Sequence, residues 1–476
     1  MEEIIIGTEL LQIISSEQAW HYLILPYNAD SDRLYLYCNN KNDYSKYSEE
    51  IELLIGKEII LTPIDESIIF KGLTKYYRKD DRKQNKIKDI HEHKPENFLQ
   101  KLISDAKAIR SSDIHIEIYD EKARIRFRID GKLIERFVID KEEYPALINK
   151  IKIKANLDIS EKRLPQDGRI MFNFADERFD IRVSVLPTMY GEKIVLRLLS
   201  DKAEAIEIEK LGFSEIQLNH FIEGIKKVQG LVLISGPTGS GKTTTLYATL
   251  KLLNQEHLNI LTIEDPIEYT LEGVNQVQLK ESIGLSFSSA LRTFLRQDPD
   301  IIMLGEIRDG ETAQMAIRAA LTGHLVFSTI HTNSAWGIIS RLADMGVPPY
   351  LLSGTLNLAV AQRLVRLLCP VCKEYFEGGN DLLPKNIDTK KKLNGHFMSK
   401  GCDSCFYTGY KGRRAIYEVI PIDAEFSFAI KSNKVDIKKE LDNKNITSLS
   451  EQAFDLVESG LTSIEEVYPI ISSYNI

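Results

Sequence analysis

The stretch Leu231-Val232-Leu233-Ile234-Ser235-Gly236-Pro237-Thr238-Gly239-Ser240-Gly241-Lys242-Thr243-Thr244 decides how the rest of this chain is read. Its first residues form the short apolar run of a buried strand. The next eight match G-x-x-x-x-G-K-[ST], and Thr244 to Leu253 reads as a helix. A strand before and a helix after is the context this pattern requires. Its glycines let backbone N–H groups turn inward around phosphate oxygens, and the helix points its positive N-terminus at the same anion. Gly236, Pro237, Thr238, Gly239, Ser240, Gly241, Lys242, Thr243 and Thr244 are therefore the candidate phosphate-binding residues. Lys242 is placed to reach the β- and γ-phosphates, and the Thr243 hydroxyl to face Mg2+.

A phosphate loop of this kind needs a carboxylate at the end of a neighbouring strand, to hold the metal and the attacking water. Leu258 to Ile263 runs into Glu264-Asp265-Pro266, and Asp300 to Leu304 runs into Gly305-Glu306-Ile307-Arg308-Asp309. Both place acids where ligands bind in open parallel sheets. Between them, Leu291 to Pro299 reads as a helix stopping before a proline, with Arg292 and Arg296 on one face, available to phosphate or to surface acids. Gly323 to Thr332 supplies a further core strand carrying His324 and His331. Seven residues apart on a strand, they face opposite ways, which argues against a shared metal and leaves each to bond phosphate or a carboxylate.

The whole chain has 476 residues, enough for about three domains. Hydrophobic residues make up 43% and charged residues 27%, too apolar for a disordered chain. The formal net charge of −8 argues against a general nucleic-acid binder. No apolar run is long enough to span a bilayer, and the acidic start Met-Glu-Glu-Ile-Ile-Ile does not read as a secretory signal, so a cytoplasmic location is expected.

Residues 1–77 read as a small α/β unit, with strands at Leu34–Cys38 and Glu58–Leu61 and a helix over Leu10–Trp20. Residues 78–95 are a charged linker, in which His91 and His93 fall. Residues 96–200 form an α+β domain of antiparallel strands. In Ala123–Ile129 the period-two pattern puts Ile125, Phe127 and Ile129 on one face, and Asp130-Gly131 signals a hairpin. Ile170–Phe174 and Phe179–Val185 form a second alternating pair. From 201 to 476, strands alternate with helices, the pattern of a helix-covered parallel sheet, with a helical tail over 425–476.

Within that last region, 366–414 carries Cys369-Pro370-Val371-Cys372 and, after 29 residues, Cys402-Asp403-Ser404-Cys405. Two such pairs can close a tetrahedral Zn2+ site, the alternative being a redox pair. Cys38 is left over as a core residue, and five cysteines exclude a disulfide scaffold.

Taken in order, these segments resemble one family, the secretion ATPases of type II secretion systems and type IV pilus assembly. GPTGSGKTTTLYA at Gly236–Ala248 resembles its Walker A segment, TIEDPIEY at Thr262–Tyr269 its Asp box, LRQDPDIIMLGEIRD at Leu295–Asp309 its Walker B, and GHLVFSTIHTN at Gly323–Asn333 its His box. RLPQDGR at Arg163–Arg169, DIRVSVLPT at Asp180–Thr188 and GEKIVLRLL at Gly191–Leu199 are similar to its second N-terminal domain. The tetracysteine segment, TGYKGRRAIYEV at Thr408–Val419 and SLSEQAFDLVESGLTSIEEV at Ser448–Val467 are also typical of it. The resemblance implies a RecA-like ATPase domain preceded by a PAS-like domain and a small N-terminal domain, assembled as a homo-hexamer. It implies ATP with Mg2+ and Zn2+, and an inner-membrane platform protein as partner, so that membrane association is peripheral. It implies that Glu306 polarises the attacking water, that Glu264 supports the metal, and that Arg182 and Arg197 swing onto the γ-phosphate. For Arg197 the competing reading is a permanent salt bridge, to Glu192 or Asp180. A retraction motor, a nucleic-acid translocase on the same core and a non-hydrolysing scaffold are the rivals. The four cysteines disfavour the first, the net charge the second, and Glu264 with Glu306 the third.

Overall fold

The computed structural model describes residues 6, 8–11, 13–14, 16–30, 32–40, 44, 47–77, 95–174, 177–198, 207–384 and 393–472. Two compact units partition the chain. One holds the N-terminal sheet, the tetracysteine segment and the end of the chain; the other holds the two larger sheets.

The N-terminal sheet consists of β1 (Ile24–Ala29), β2 (Arg33–Asn39) and β3 (Glu58–Ile64), with β1 antiparallel and β3 parallel to β2. Leu34, Leu36 and Cys38 alternate inward and join Ile24, Leu25, Ile69 and Leu73 in one apolar cluster. In place of one helix over Leu10–Trp20 there are two, Thr8–Leu11 and Ser16–Tyr22. β-Branched Ile13 and Ile14 followed by two serines disfavour a continuous helix and favour a fresh start. The charged segment with His91 and His93 lies outside the described residues up to position 94. Pro95 already opens the helix Pro95–Ala108, a position where its missing N–H costs nothing.

The second sheet is antiparallel throughout, in the order β6-β5-β4-β9-β8-β7. Its strands are β4 (Asp113–Ile118), β5 (Ala123–Ile129), β6 (Lys132–Ile139), β7 (Gln166–Phe174), β8 (Glu177–Thr188) and β9 (Gly191–Leu198). Asp130 and Gly131, at φ 47° and 87°, close the β5–β6 hairpin. Ile125, Phe127 and Ile129 are buried on one face. Helix residue Phe98 meets Phe137 edge-on there, at 5.8 Å between ring centres. The other face is charged. Arg126 forks onto Glu117 at 2.8 Å for both bonds, and Lys193 approaches it at 2.9 Å. Burial opposes ionisation of Glu117, but these cations hold its carboxyl down at about 2.

The third sheet has the order β12-β11-β13-β14-β10-β15-β18. Its strands are β10 (Gly230–Ser235), β11 (Ile260–Glu264), β12 (Asn275–Gln278), β13 (Ile301–Leu304), β14 (Leu325–Ile330), β15 (Leu356–Leu368) and, after the ribbon β16 (Lys373–Glu377) and β17 (Gly395–Ser399), β18 (Tyr410–Pro421). From β12 to β15 all neighbours are parallel. Helices Lys242–Leu253, Phe287–Phe294 and Gly310–Leu321 make three of the crossovers, and Gly337–Asp344 with Pro349–Thr355 make the one from β14 to β15. All six residues of β10 are buried, as the apolar run requires. In register, Ser235 lies beside Ile330, Ser328 beside Leu304, and Leu304 beside Ile263. The carboxyl ends of four strands therefore share one edge.

One buried ion pair gives a direct stability test. Lys152, fully enclosed, donates to Glu192 Oε1 at 2.8 Å and to the Glu161 carbonyl at 2.7 Å. Removing one partner of such a pair leaves an uncompensated buried charge. Lys152→Met is expected to destabilise the protein by about 3–5 kcal/mol, read as a lower denaturant midpoint. A change below about 1 kcal/mol, the surface range, would show that the pair is not structural.

Candidate functional site

The loop from Gly236 to Gly241 turns sharply between β10 and its helix, with Gly236 at φ 149° and Gly241 at φ 89°. A side chain has no room at either. A Cβ on Gly236 would lie 2.4 Å from the Gln362 carbonyl oxygen, and one on Gly241 would lie 2.9 Å from Gln362 Nε2. Gln362 follows Ala361, the register partner of Ser235, and so forms a floor beneath the loop. Its amide is oriented by the Thr245 hydroxyl, which donates to Oε1 at 3.0 Å. Sequence reasoning missed this residue. The available signal is a glutamine directly after the apolar run Leu358–Ala361, where it is buried.

Lys242 Nζ donates to the Gly236 and Pro237 carbonyls at 2.7 and 3.0 Å. Burial lowers its pKa, the charge of Glu306 opposing. The Ser240 hydroxyl is buried with no hydrogen-bond partner, and Thr243 is exposed at the helix N-terminus. An orphaned hydroxyl, an ammonium resting on its own loop and a ring of turned-in backbone fit an anion with several oxygens.

Two acids stand at the neighbouring strand ends, in different surroundings. Glu306, just past β13, is gripped by the Arg308 fork, with Nε 3.1 Å from Oε1 and an Nη 3.2 Å from Oε2. Arg308 also reaches Asp265 at 3.5 Å, and His331 Nε2 lies 3.4 Å from Glu306. Hydrogen bonding to Glu306 raises the Arg308 pKa against the effect of burial. Glu264, the last residue of β11, is only 3% exposed and bonded to neutral groups: Tyr247, Thr262 at 2.6 Å and Gln276 at 3.0 Å.

The two histidines flank β14 rather than sharing it. His331 joins the Glu306 cluster. His324 sits at the other end of the strand, its Nδ1 2.9 Å from the Ala319 carbonyl at the end of a crossover helix. Within one chain its ring is therefore remote from the phosphate loop, a correction to the expectation of a nucleotide contact. Arg292 and Arg296 do not share a helical face either, because the helix ends at Phe294. Arg292 pairs with Glu311, the surface alternative.

Arg182 and Arg197 are direct cross-strand partners, and Arg169 lies opposite Arg182 on the other side. Three guanidinium groups thus run abreast across β7, β8 and β9. Like charges side by side repel unless acids or a ligand intervene. Here Arg197 pairs with Asp113 at 3.2 Å, Arg169 with Asp180 at 3.8 Å, and Arg182 with Glu268 at 3.9 Å and the Ile267 carbonyl. Neither Glu192 nor Asp180 is the partner of Arg197, since Glu192 holds Lys152 and Asp180 meets Arg169. The row lines a cavity of about 520 Å3 together with Asp167, Ser184, Pro266 and Gln278.

The four cysteines Cys369, Cys372, Cys402 and Cys405 bring their sulfurs within 4.8 Å of one another. Three of the separations are 3.8, 3.8 and 3.9 Å. Tetrahedral zinc with Zn–S bonds of about 2.3 Å puts sulfurs about 3.8 Å apart. Backbone N–H groups of Gly401, Cys402 and Gly409 point at Cys372 and Cys405 sulfurs, each at 3.2 Å, as suits thiolate charge. The donor set fits structural zinc.

A phosphate loop at the edge of a parallel sheet, acids on adjacent strand ends and this sheet order define a RecA-like P-loop ATPase. A family model for type II/IV secretion system proteins matches residues 90–469, and the chain belongs to that family. It is 40% identical to the type IV pilus assembly ATPase PilB of Myxococcus xanthus, over 96% of this chain and 86% of that protein. It is 43% identical to the type II secretion system ATPase E of Vibrio cholerae, over 78% of this chain and 74% of that one. Among solved structures, that of the pilus retraction motor PilT with bound ADP is similar, at 27% identity and a TM-score of 0.53, covering 78% of this chain and 96% of that one. The Legionella pneumophila ATPase DotB, at 22% identity and a TM-score of 0.58, shares the fold over 79% of this chain and 96% of its own. Among the described residues, no helix is long and apolar enough to cross a membrane.

Elemental analysis of purified protein should find one zinc per chain. Cys405→Ser should lose it and destabilise the β16–β17 ribbon, because metal binding energy is local folding energy. Stoichiometric protein without zinc, its thiols free or oxidised in pairs, would overturn the assignment.

Proposed function

We propose that this chain is a cytoplasmic, homo-hexameric motor that hydrolyses ATP to drive assembly of a pilus or pseudopilus, or secretion through it. It would act on an inner-membrane platform protein and associate with the membrane only through such partners. The observation that carries this reading is the 40% identity to a pilus assembly ATPase over 96% of the chain, which extends the likeness into the N-terminal residues. The retraction motor's structure is spanned almost whole, yet spans only 78% of this chain. The net charge of −8 disfavours a nucleic-acid translocase.

In this reading residues 1–77 form the N-terminal domain, 96–200 a PAS-like domain and 201–476 the ATPase domain. Residues Gly236–Thr244 hold the ATP phosphates, Lys242 leaving its own loop carbonyls for the β- and γ-oxygens. Mg2+, held through Thr243 with the support of Glu264, would neutralise developing phosphate charge. Glu306, released from Arg308, orients and polarises the water for in-line attack, and His331 stays within reach of that carboxylate. Arg182 and Arg197 give up Glu268 and Asp113 for the γ-phosphate, where their planar forks bond oxygen in pairs. Nucleotide binding then draws the six-stranded sheet toward the parallel sheet, and phosphate release lets it go, a rigid-body cycle that a ring can pass to a platform.

Two variants test the chemistry and the motion separately. Glu306→Gln should bind MgATP as tightly as wild type and turn it over at least about 100-fold more slowly, the range for a lost acid/base group. Wild-type turnover would reject Glu306. Arg197 is 54% exposed, and Asp113 keeps Arg128 at 3.4 Å and the Ser112 hydroxyl at 2.8 Å without it. Arg197→Ala should therefore change nucleotide-free stability by less than about 1 kcal/mol. It should also cut turnover and shrink the thermal stabilisation given by a non-hydrolysable ATP analogue. A destabilised apo protein with normal turnover per folded chain would make Arg197 purely structural.

A further inference from the structure

Glu264 raises a physical question that its proposed role leaves open. A carboxylate at 3% exposure is costly to keep charged, and no cation bonds it among the described residues. What it has instead is three neutral donors from three elements. Tyr247, one turn into the phosphate-loop helix, donates its phenol hydroxyl to Oε2. Thr262, two residues upstream on β11, donates to Oε1 at 2.6 Å, and Gln276 of β12 donates to Oε1 at 3.0 Å.

Of the three, Tyr247 is placed to do more than solvate the charge. Its ring is fully buried and held edge-on by Tyr269, with centroids 4.5 Å apart at 80°. Its oxygen in turn accepts from the backbone N–H of Glu268 and from Gln276 Nε2, each at 3.4 Å. That orients the phenol, because with both acceptor positions taken its own hydrogen is left for the carboxylate. Burial first, then the hydrogen bond to and the charge of Glu264, raise the phenol's pKa, so it remains a donor throughout the physiological range. The Ile267–Glu268 segment above it is the one Arg182 holds, through the Ile267 carbonyl and the Glu268 carboxylate. Tyr269 packs on the phenol ring, and Arg182 is the cation that reaches the same segment.

We infer that Tyr247 is a positioning residue for hydrolysis: it fixes the Glu264 carboxylate relative to the phosphate loop and ties that carboxylate to the segment that Arg182 grips. The phenol touches neither phosphate nor water; it acts through Glu264. The inference rests on the proposed participation of Glu264 in hydrolysis.

The test is a double-mutant cycle in the full-length protein, with Tyr247→Phe, Glu264→Gln and both together, assayed for MgATP turnover and for MgADP affinity. Tyr247→Phe keeps the ring and removes only the hydroxyl. It should lower kcat about tenfold, which is about 1.4 kcal/mol of barrier, with KM and the MgADP Kd within twofold of wild type. In the Glu264→Gln background the same change should alter the residual single-turnover rate by less than twofold, because the carboxylate it positions is gone. Thr262→Val, which removes a donor from the other oxygen, provides an independent arm and should also lower kcat without raising KM. Tyr247→Phe with wild-type kcat, or with an equal loss in both backgrounds, would overturn the inference while leaving Glu264 in place. Wild-type turnover in Glu264→Gln alone would overturn the role of Glu264, and the inference with it.

Discussion

Everything in this site depends on parallel, in-register pairing of β11, β13, β14, β10 and β15. A parallel strand must be reached by a crossover, so each carboxyl end releases its chain at the same edge of the sheet before the connection carries it back. The loop after β10 becomes a phosphate cradle, and the residues after β13 and β14 bring Glu306, Arg308 and His331 together. Glu264 ends β11 beside them. Gln362 on β15 matters as much, since it occupies the space that makes Gly236 and Gly241 obligatory. An antiparallel neighbour would have sent half of these residues to the far end, where His324 lies.

The six-stranded sheet supplies a row of positive charge of its own. Arg169, Arg182 and Arg197 stand side by side because β7, β8 and β9 pair them directly. Their present partners are half-measures: a 3.9 Å approach to Glu268, a 3.8 Å approach to Asp180 and an exposed pair with Asp113. The Arg169 and Arg197 guanidinium groups are more than half exposed, where an ion pair is worth at most about 1 kcal/mol, so these contacts hold the row together without fixing it. In the proposed cycle a nucleotide phosphate would offer Arg182 and Arg197 a denser charge, which is the differential interaction a conformational switch requires.

Much of this was legible in the residues, for identifiable reasons. Period-two alternation in Ala123–Ile129 and the unbroken run Leu231–Ser235 each leave one way to bury their apolar atoms, so sheet class followed from pattern alone. The phosphate loop and the two C-x-x-C pairs are local in sequence, and local spacing carries their chemistry. What sequence could not give is who stands opposite whom. The pairing of Arg197 with Asp113, 84 residues away, comes from adjacency of β4 and β9, and no pattern within either strand specifies it. The floor under the loop and the donors around Glu264 likewise come from three or four separate segments. Helix ends were read too generously at Leu10–Trp20 and around Arg296, where serines and an early stop break the period.

Phosphate binding at the loop after β10 is tested most directly by Mg2+-dependent phosphate release from ATP, measured on the purified chain beside its Lys242→Ala counterpart. Lys242 is the cation whose ammonium lies on the loop carbonyls at 2.7 and 3.0 Å, free to transfer to phosphate. The expected result is turnover that requires Mg2+ and falls to background in Lys242→Ala, with the variant still folded. Equal phosphate release by both proteins would contradict the account.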